Sequence, residues 1–130
     1  MTASLTHVLL IALGGGLGSM ARAALAARIV PESHPAIAIM VVNVSGSFAI
    51  GLAYGLSPGA GLVAVAMPTL FQVFAIGVLG GYTTVSTFAM QALTLWQEGR
   101  AWAALANIAG SILGCTAAAA FGILLTRGWG

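Results

Sequence analysis

The chain has 130 residues, of which 60% are hydrophobic and only 5% are charged, with a formal net charge of +2. Soluble domains carry about 25% charged residues, so this chain could not cover a water-exposed surface and is predicted to fold in a lipid bilayer. The small charge and the scattered arginines argue against nucleic-acid binding. A single cysteine, Cys115, excludes an intrachain disulfide and a cysteine-based metal cluster.

Polar breaks divide the chain into four apolar segments, which predict an all-α integral membrane fold. The expected spans are 5–29, 37–56, 69–96 and 102–126, within a single membrane domain covering residues 1–130. A span needs about 20 residues at a rise of 1.5 Å per residue. The first segment has no basic start and continues beyond the length of a signal-peptide core, so we interpret it as a retained span.

The third apolar segment, residues 62–96, is too long for one span. A continuous helix of this length would extend about 52 Å, whereas the hydrocarbon core is about 30 Å thick. Pro68 suits the first turn of a helix that begins near Thr69, and Gly80 and Gly81 then fall near its middle. We therefore predict two half-helices with irregular backbone near residues 80–83, which is tolerated only against protein or a water-lined cavity. A continuous helix with a packing glycine pair is the alternative.

Each segment also contains two glycines four residues apart. This spacing places both glycines on one helix face and lets two helix backbones approach closely. The pairs are Gly14 and Gly18, Gly51 and Gly55, Gly77 and Gly81, and Gly110 and Gly114. We expect close helix packing within the chain and between subunits.

The arginines give little information about orientation in the membrane. Four spans place both termini on one side, which carries Arg127, while Arg28, Arg100 and Arg22 lie toward the other side. Positive residues favour the cytoplasm, but three against one is a small bias. Four short helices are few to enclose a path, so we expect an oligomer. A dual-topology antiparallel dimer and a single orientation both remain open.

The charged and titratable groups disfavour proton-coupled transport, which needs such a group inside the membrane. Glu32 and Glu98 lie in predicted loops, and His7 and His34 lie near span ends. A small multidrug transporter, which depends on a glutamate in its first span, is therefore disfavoured. Enzymatic activity is also unsupported, because the sequence has no aspartate and no pattern typical of a catalytic pair, a metal cluster or a phosphate loop.

The spans instead contain uncharged polar side chains and one arginine. These are Asn43 and Ser47 in span two, Ser86 and Thr87 after the predicted break, Ser111 in span four, and Arg22 in span one. Hydroxyl and amide donors with one positive charge suit an anion, whereas carbonyls freed at a helix break suit a cation. Each side chain could also be structural, bonding to its own helix or joining two helices. Together with the break they favour permeation.

Three glycine-rich motifs follow one another along the chain. GGGLGSMAR supplies Gly14, Gly15, Gly18 and Arg22, and VNVSGSFAIG supplies Val42, Asn43, Gly46, Phe48 and Gly51. The third motif is GVLGGYTTVSTF. Together the three resemble the motifs of the Fluc/CrcB fluoride channel family, and the third matches the family pattern GxxGGxTTFSTF at all but one position. The fourth span is similar mainly in character, with Asn107, Ser111 and Gly114.

The resemblance implies a passive fluoride channel of a bacterial plasma membrane that protects the cell by fluoride efflux. It implies an antiparallel homodimer, or a pair of related subunits, with two fluoride pathways. A structural sodium ion would lie at the dimer centre, held by the backbone carbonyls of Gly80 and Thr83. The pathway would be lined or bordered by Asn43, Ser86, Thr87 and Phe88, with Arg22 near its aqueous approach; Ser111 joins them as a donor in span four. Phenylalanine would face fluoride with its electropositive ring edge.

Four positions depart from the family pattern. Val85 stands where the family has the first phenylalanine of TTFSTF, and Ile39 stands where it has a threonine. Gln91 replaces a glutamate and Ala23 replaces an aromatic residue. A homodimeric channel is our first expectation. A non-conducting partner subunit of a heterodimeric channel is the alternative.

Overall fold

The computed structural model describes residues 4–57 and 69–127, and this part of the chain is helical nearly throughout. Four of its helices are long and apolar enough to cross a membrane: Leu5–Ile29, Pro35–Gly55, Thr69–Gln97 and Ala101–Arg127. Their ends lie within two residues of the spans expected from the sequence. Pro68 lies outside the described residues, while the third of these helices does begin at Thr69. The all-helical fold with four potential spans is thus confirmed.

Helix α1 (Leu5–Ile29) and helix α2 (Pro35–Gly55) are joined by a short 3-10 helix, Val30–Glu32. The Ser4 hydroxyl accepts a hydrogen bond from the amide of His7 at 3.2 Å and caps the start of α1. His34 caps α2 through Nδ1, which accepts from the amide of Ala36 at 3.2 Å. Pro35 occupies the first turn of α2, where a missing N–H costs nothing. The proline-rich connection therefore starts the second span cleanly.

The third span is interrupted, and its first half is irregular. It consists of α3 (Thr69–Gln72), a π-helical segment (Val73–Leu79), α4 (Gly80–Tyr82) and, after two non-helical residues, α5 (Val85–Gln97). The two residues between the half-helices, Thr83 and Thr84, have extended backbone, with φ/ψ of −77°/159° and −152°/125°. The break thus lies at the end of the predicted stretch, and Gly80 and Gly81 remain helical. None of the sequence patterns considered above predicted the π-helical turns.

Glycines bring α1 and the first half of the third span into backbone contact. A methyl group added to Gly18 would collide with the carbonyl of Val78, and one added to Gly81 would collide with that of Gly15. At Gly77 the added carbon would lie 2.8 Å from the Ile11 carbonyl oxygen. The Gly80-Gly81 pair therefore supplies close packing through Gly81, and the break arises from the threonines that follow it.

Helix α6 (Ala101–Arg127) packs along α2 and, at its start, against α5. A carbon added to Gly122 would lie 2.6 Å from the Phe48 carbonyl oxygen, so the backbones of α2 and α6 nearly touch. Gly99, with φ of +74°, closes the α5–α6 turn, and the amide of Arg100 donates to the Leu95 carbonyl at 3.0 Å. Buried Leu95 packs with Ala36 and Ala104, so three helices meet near this turn.

Candidate functional site

Asn43 on α2 is paired with the broken backbone of the third span. Its Nδ2 donates to the Thr84 carbonyl at 2.9 Å, and its Oδ1 accepts from the Thr84 amide at 2.8 Å. Thr84 is buried, and a buried backbone group without a partner is costly. The asparagine therefore replaces the helical partner that the break removes from the Thr84 amide, and it adds a hydrogen bond to the carbonyl of the same residue. One hydrogen of its amide nitrogen is left for another acceptor.

Thr84 also begins α5 and is a site residue that the sequence analysis did not select. Its Oγ1 accepts from the amide of Thr87 at 3.3 Å, donates to Thr87 Oγ1 at 3.1 Å and lies 3.3 Å from Ser86 Oγ. Threonine is a favoured residue at the N-cap, where its oxygen satisfies a free amide of the first turn. A threonine that lies three residues after the glycine pair and three residues before another threonine was the signal that could have identified it.

The carbonyls next to the break lie in an unusual environment. In a continuous helix the Thr84 amide would bond to the Gly80 carbonyl, but here it donates to Asn43. Thr83 is extended, and its carbonyl accepts a long hydrogen bond of 3.5 Å from Nη1 of Arg22 on α1. Arg22, partly buried, is thereby directed at the break. The Thr83 hydroxyl bonds back to the Leu79 carbonyl at 3.0 Å.

A cavity of about 400 Å³ lies beside the break. Its polar lining comes from Asn43, Ser47, Thr83, Thr84, Ser111 and Cys115, and its apolar lining includes Phe88, Val85, Ile112, Leu79 and Ile50. Among the lining residues none carries a formal charge. The cavity can therefore offer hydroxyl, amide and ring-edge groups to a guest without involving a proton exchange.

The structure brings most, but not all, of the predicted site residues to this cavity. Asn43, Gly80, Thr83, Phe88 and Ser111 line it. Three others do not appear in its lining: Ser86 and Thr87 contact the cavity residue Thr84, and Arg22 contacts Thr83. Ser47, one turn after Asn43, lines the cavity as its i, i+4 spacing predicts.

Helix α6 contributes two buried donors that have no hydrogen-bond partner among the residues described. They are the hydroxyl of Ser111, a residue that is 6% exposed, and Nδ2 of Asn107, a residue that is 9% exposed. The Ser111 hydroxyl lines the cavity, and Asn107 precedes it by one helical turn. Buried donors are normally paired, so unpaired ones at a cavity indicate a place for a guest or water. Asn107 was noted in the sequence but was not selected as a site residue.

Comparison with known proteins places this arrangement in a family. Residues 9–123 match the family model described as CrcB-like protein, Camphor Resistance (CrcB). The chain belongs to the CrcB-like family. The match begins within the first span and ends within α6, so it includes most of the span for which the sequence motifs gave the least support. The resemblance predicted from the three motifs is therefore confirmed.

Several curated relatives of this CrcB-like chain carry a functional name. A protein of Solibacter usitatus (strain Ellin6076), called fluoride-specific ion channel FluC, is 46% identical over 123 residues, which are 92% of this chain and 97% of the relative. Fluoride-specific ion channel FluC 3 of Brucella suis biovar 1 (strain 1330) is 43% identical over 118 residues, 88% of this chain and 86% of the relative. Fluoride-specific ion channel FluC 2 of Rhodopseudomonas palustris (strain BisB18) is 40% identical over 92% of each chain. These relatives are named as ion channels, not as enzymes.

Proposed function

We propose that this chain is a subunit of a fluoride-selective channel that lets fluoride leave a bacterial cell passively through the plasma membrane. The observation that carries the proposal is the uncharged, donor-lined cavity at the helix break, held open by the Asn43–Thr84 pair. It occurs in a chain whose relatives are named fluoride-specific ion channels. The proposal combines the chemistry of this cavity with the ion that the names of those relatives give, which is fluoride.

Fluoride is small and strongly hydrated, so removing its water is costly unless other donors replace it. The second amide hydrogen of Asn43 and the hydroxyl of Ser111 are free to donate, and closely packed helices hold both side chains in place. The ring of Phe88 adds a positive edge to the same lining. Arg22, whose guanidinium is directed at the break, contributes a positive potential that favours an anion over a cation in the approach.

Passive efflux fits the placement of charge. Hydrogen fluoride is a weak acid that crosses membranes when neutral and ionises inside a less acidic cell, so the anion can leave down its own gradient. This requires no group that takes up and releases protons within a span. In the part of the chain that the structure describes, Glu98 lies in the α5–α6 turn, where it forms an exposed ion pair of 3.5 Å with Arg100.

An antiparallel homodimer would close the cavity. Two of its lining residues, Val85 and Ile112, are 78% and 59% exposed, so the cavity is open on one side in a single chain. A second copy in the opposite orientation would cover this side and provide a second, equivalent pathway. The small arginine bias of the sequence is compatible with insertion in both orientations.

The backbone at the break also fits a structural sodium ion. Sodium is a hard cation that prefers oxygen ligands, and half-helix ends that expose carbonyls are known to bind it. The Gly80 carbonyl lacks its usual partner because the Thr84 amide donates to Asn43, and Gly80 and Thr83 both line the cavity. We propose that these two carbonyls hold the ion. When bound, it would neutralise the carbonyl dipoles at the break and fix the two half-helices relative to each other.

Fluoride efflux from liposomes that contain only this purified chain tests the function. Fluoride-loaded and chloride-loaded liposomes are compared with protein-free ones, with a potassium ionophore present to remove the membrane potential. We expect rapid fluoride release, no chloride release, and unchanged fluoride release when a proton ionophore collapses the pH gradient. Fluoride release no faster than from protein-free liposomes would contradict the homodimeric channel.

The second candidate is a non-conducting subunit that completes a heterodimeric channel. Val85 favours it, because this highly exposed cavity residue is not the phenylalanine of the family pattern. Relatives numbered FluC 2, FluC 3 and FluC 4 also indicate that some organisms hold several copies. This candidate predicts efflux only when the chain is reconstituted together with a second family member. Efflux from the chain alone would exclude it.

A further inference from the structure

Two complementary polar atoms are buried without a partner where α2, α5 and α6 meet. Gln91 Oε1 is an acceptor and Asn107 Nδ2 is a donor, and neither is hydrogen-bonded within the described part of the chain. A lone orphan atom could reflect local strain, but a donor and an acceptor on facing helices indicate a missing common partner.

The register of the α5–α6 hairpin places these two side chains at the same level. Toward the turn, Leu95 on α5 packs in one cluster with Ala104 on α6. Toward the break, Phe88 on α5 and Ser111 on α6 line the same cavity. Gln91 and Asn107 lie between these two levels.

Along α5, Gln91 is four residues before Leu95 and three after Phe88, so all three share one face. Along α6, Asn107 is three residues after Ala104 and four before Ser111, so these three residues also share one helix face. The register therefore places the two side chains at one level of the hairpin, one helical turn from Phe88 and Ser111, which is about 5 Å along the helix axis.

The Gln91 side chain is fixed at its other end. Its Nε2 donates to the Pro35 carbonyl at the start of α2 at 3.0 Å. Because this bond uses the nitrogen, the amide oxygen is the atom left free. On the side toward the turn, the apolar cluster of Ala36, Leu95 and Ala104 closes this region. The two unpaired atoms are thus buried between this apolar cluster and the level of the cavity residues.

We propose that Gln91 Oε1 and Asn107 Nδ2 bind a water molecule, and that together they form a rehydration site for the anion. This inference rests on the proposed fluoride channel. The water donates one hydrogen to Gln91 Oε1 and accepts from Asn107 Nδ2 while no anion is near. When fluoride moves beyond Ser111, the second hydrogen of the water and an N–H of Asn107 turn toward it and begin to restore its hydration shell.

The site has the chemistry that this step requires. Asn107 alone offers donors to the anion, while Gln91 Oε1 would repel it directly and therefore needs a water between them. Waters with two or more polar partners are common in buried polar sites and replace direct hydrogen bonds well. Gln91 is accordingly a positioning residue, and Asn107 contacts the anion.

The experiment measures both stability and flux in Asn107→Leu, which keeps the side-chain volume and removes the donor. With a shared water, the change leaves Gln91 Oε1 unpaired, so the melting temperature in detergent should fall. Hydrogen bonds to charged groups are the stronger class, so fluoride flux in liposomes should fall by about 10-fold or more. Because Gln91→Met also removes the Nε2 hydrogen bond to Pro35, the two changes are compared in a full cycle. Adding Asn107→Leu to Gln91→Met should lower the melting temperature less than Asn107→Leu does in the unchanged protein, because both side chains bind one water.

Thr116→Val is the matched control on the same helix. Thr116 is exposed and its hydroxyl bonds to its own helix, at 2.8 Å from the Ile112 carbonyl oxygen. The fluoride flux of Thr116→Val should stay within about twofold of that of the unchanged protein, as expected of a surface change away from the path.

The two readouts separate the two proposals. A raised or unchanged melting temperature in Asn107→Leu would overturn the water site, since removing a truly unpaired buried amide is neutral or stabilising. Lowered stability with unaltered flux per folded dimer would overturn the rehydration role. An unchanged protein that passes no fluoride would contradict the channel function, and the melting temperatures would still test the water site.

Discussion

Asn43 and Thr84 exchange two hydrogen bonds, of 2.9 and 2.8 Å, between the second span and the break in the third. The asparagine amide takes the place of a neighbouring peptide group and allows an extended residue to be buried inside a helical bundle. This relationship explains how a membrane chain can keep broken backbone while the buried peptide groups of Thr84 stay paired.

Replacing Asn43 by alanine should therefore destabilise the protein as well as stop conduction. The buried Thr84 amide would lose its partner, which costs about 1–3 kcal/mol, while the Thr84 carbonyl keeps the bond that an N-cap carbonyl accepts from the first turn of its helix. We expect a clear fall in melting temperature and loss of fluoride flux. Ser47→Ala, one turn away on the same helix and in the same cavity, is the control for stability. Equal melting temperatures for the two variants would contradict the role of the pair.

Thr84→Val should weaken the start of α5. The valine keeps the shape but removes the oxygen that accepts from the Thr87 amide. Loss of such an N-cap costs about 0.5–2 kcal/mol, and Thr84→Ser should keep most of it. Thr94→Val on the same helix removes a hydroxyl that bonds within the helix at 3.0 Å, so its effect should be small. Thermal unfolding in detergent gives the stability of both variants. If Thr84→Val were no less stable than Thr94→Val, the capping role would be refuted.

Close packing of α1 on the third span can be tested with two glycines that are two residues apart. In Gly18→Ala the new carbon would collide with the Val78 carbonyl and lie 2.9 Å from the Tyr82 nitrogen, so a helix must shift. Overpacking of this kind costs about 1–3 kcal/mol. Gly16→Ala meets nothing within 4 Å and should be neutral or slightly stabilising. Thermal unfolding should separate the two variants clearly; similar values would mean that the helices do not pack as described.

Phe88→Ile should lower fluoride flux while dimers persist on size-exclusion chromatography. The isoleucine keeps an apolar wall but has no positive ring edge for the anion. Phe74→Ile is the control, because Phe74 is 42% exposed and is not part of the cavity lining. Flux that is equal in both variants would remove the ring edge from the mechanism.

The reverse change, Val85→Phe, introduces a ring edge at the exposed cavity residue where the family pattern has one. If a missing ring limits one pathway, flux should rise. A fluoride flux equal to that of the unchanged protein would mean that residue 85 only contributes to packing. This outcome would remove the main argument for the heterodimeric alternative.

Removal of sodium should lower the melting temperature if the Gly80 and Thr83 carbonyls hold the ion. A ligand that binds only the folded state stabilises it in proportion to the logarithm of its concentration above the dissociation constant. Exchange of sodium chloride for choline chloride at equal ionic strength gives the measurement. In Asn43→Ala, where the break is no longer fixed, the difference between the two salts should shrink. Identical melting temperatures for the unchanged protein in the two salts would argue against a sodium site.

The sequence alone determined the membrane setting, the four spans and the family. Their signals are local: apolar runs of sufficient length, prolines in first turns, and three motifs with fixed spacing. It also predicted that the third span breaks, because its length exceeds the thickness of the hydrocarbon core. These properties depend on residues close together in the chain, and they could be predicted without knowing which helices touch.

The tertiary structure decided where the break lies and what holds it. Gly80 and Gly81 looked like the weak point, but Gly81 is helical and packs on the backbone of Gly15, while the extended residues are Thr83 and Thr84. The deciding partner, Asn43, is 41 residues away along the chain, and sequence spacing cannot give such a contact. The same holds for the unpaired buried amides of Gln91 and Asn107, whose common level follows from the register of a helical hairpin. Burial makes hydrogen-bond partners obligatory, and only the packed fold determines which distant group becomes the partner.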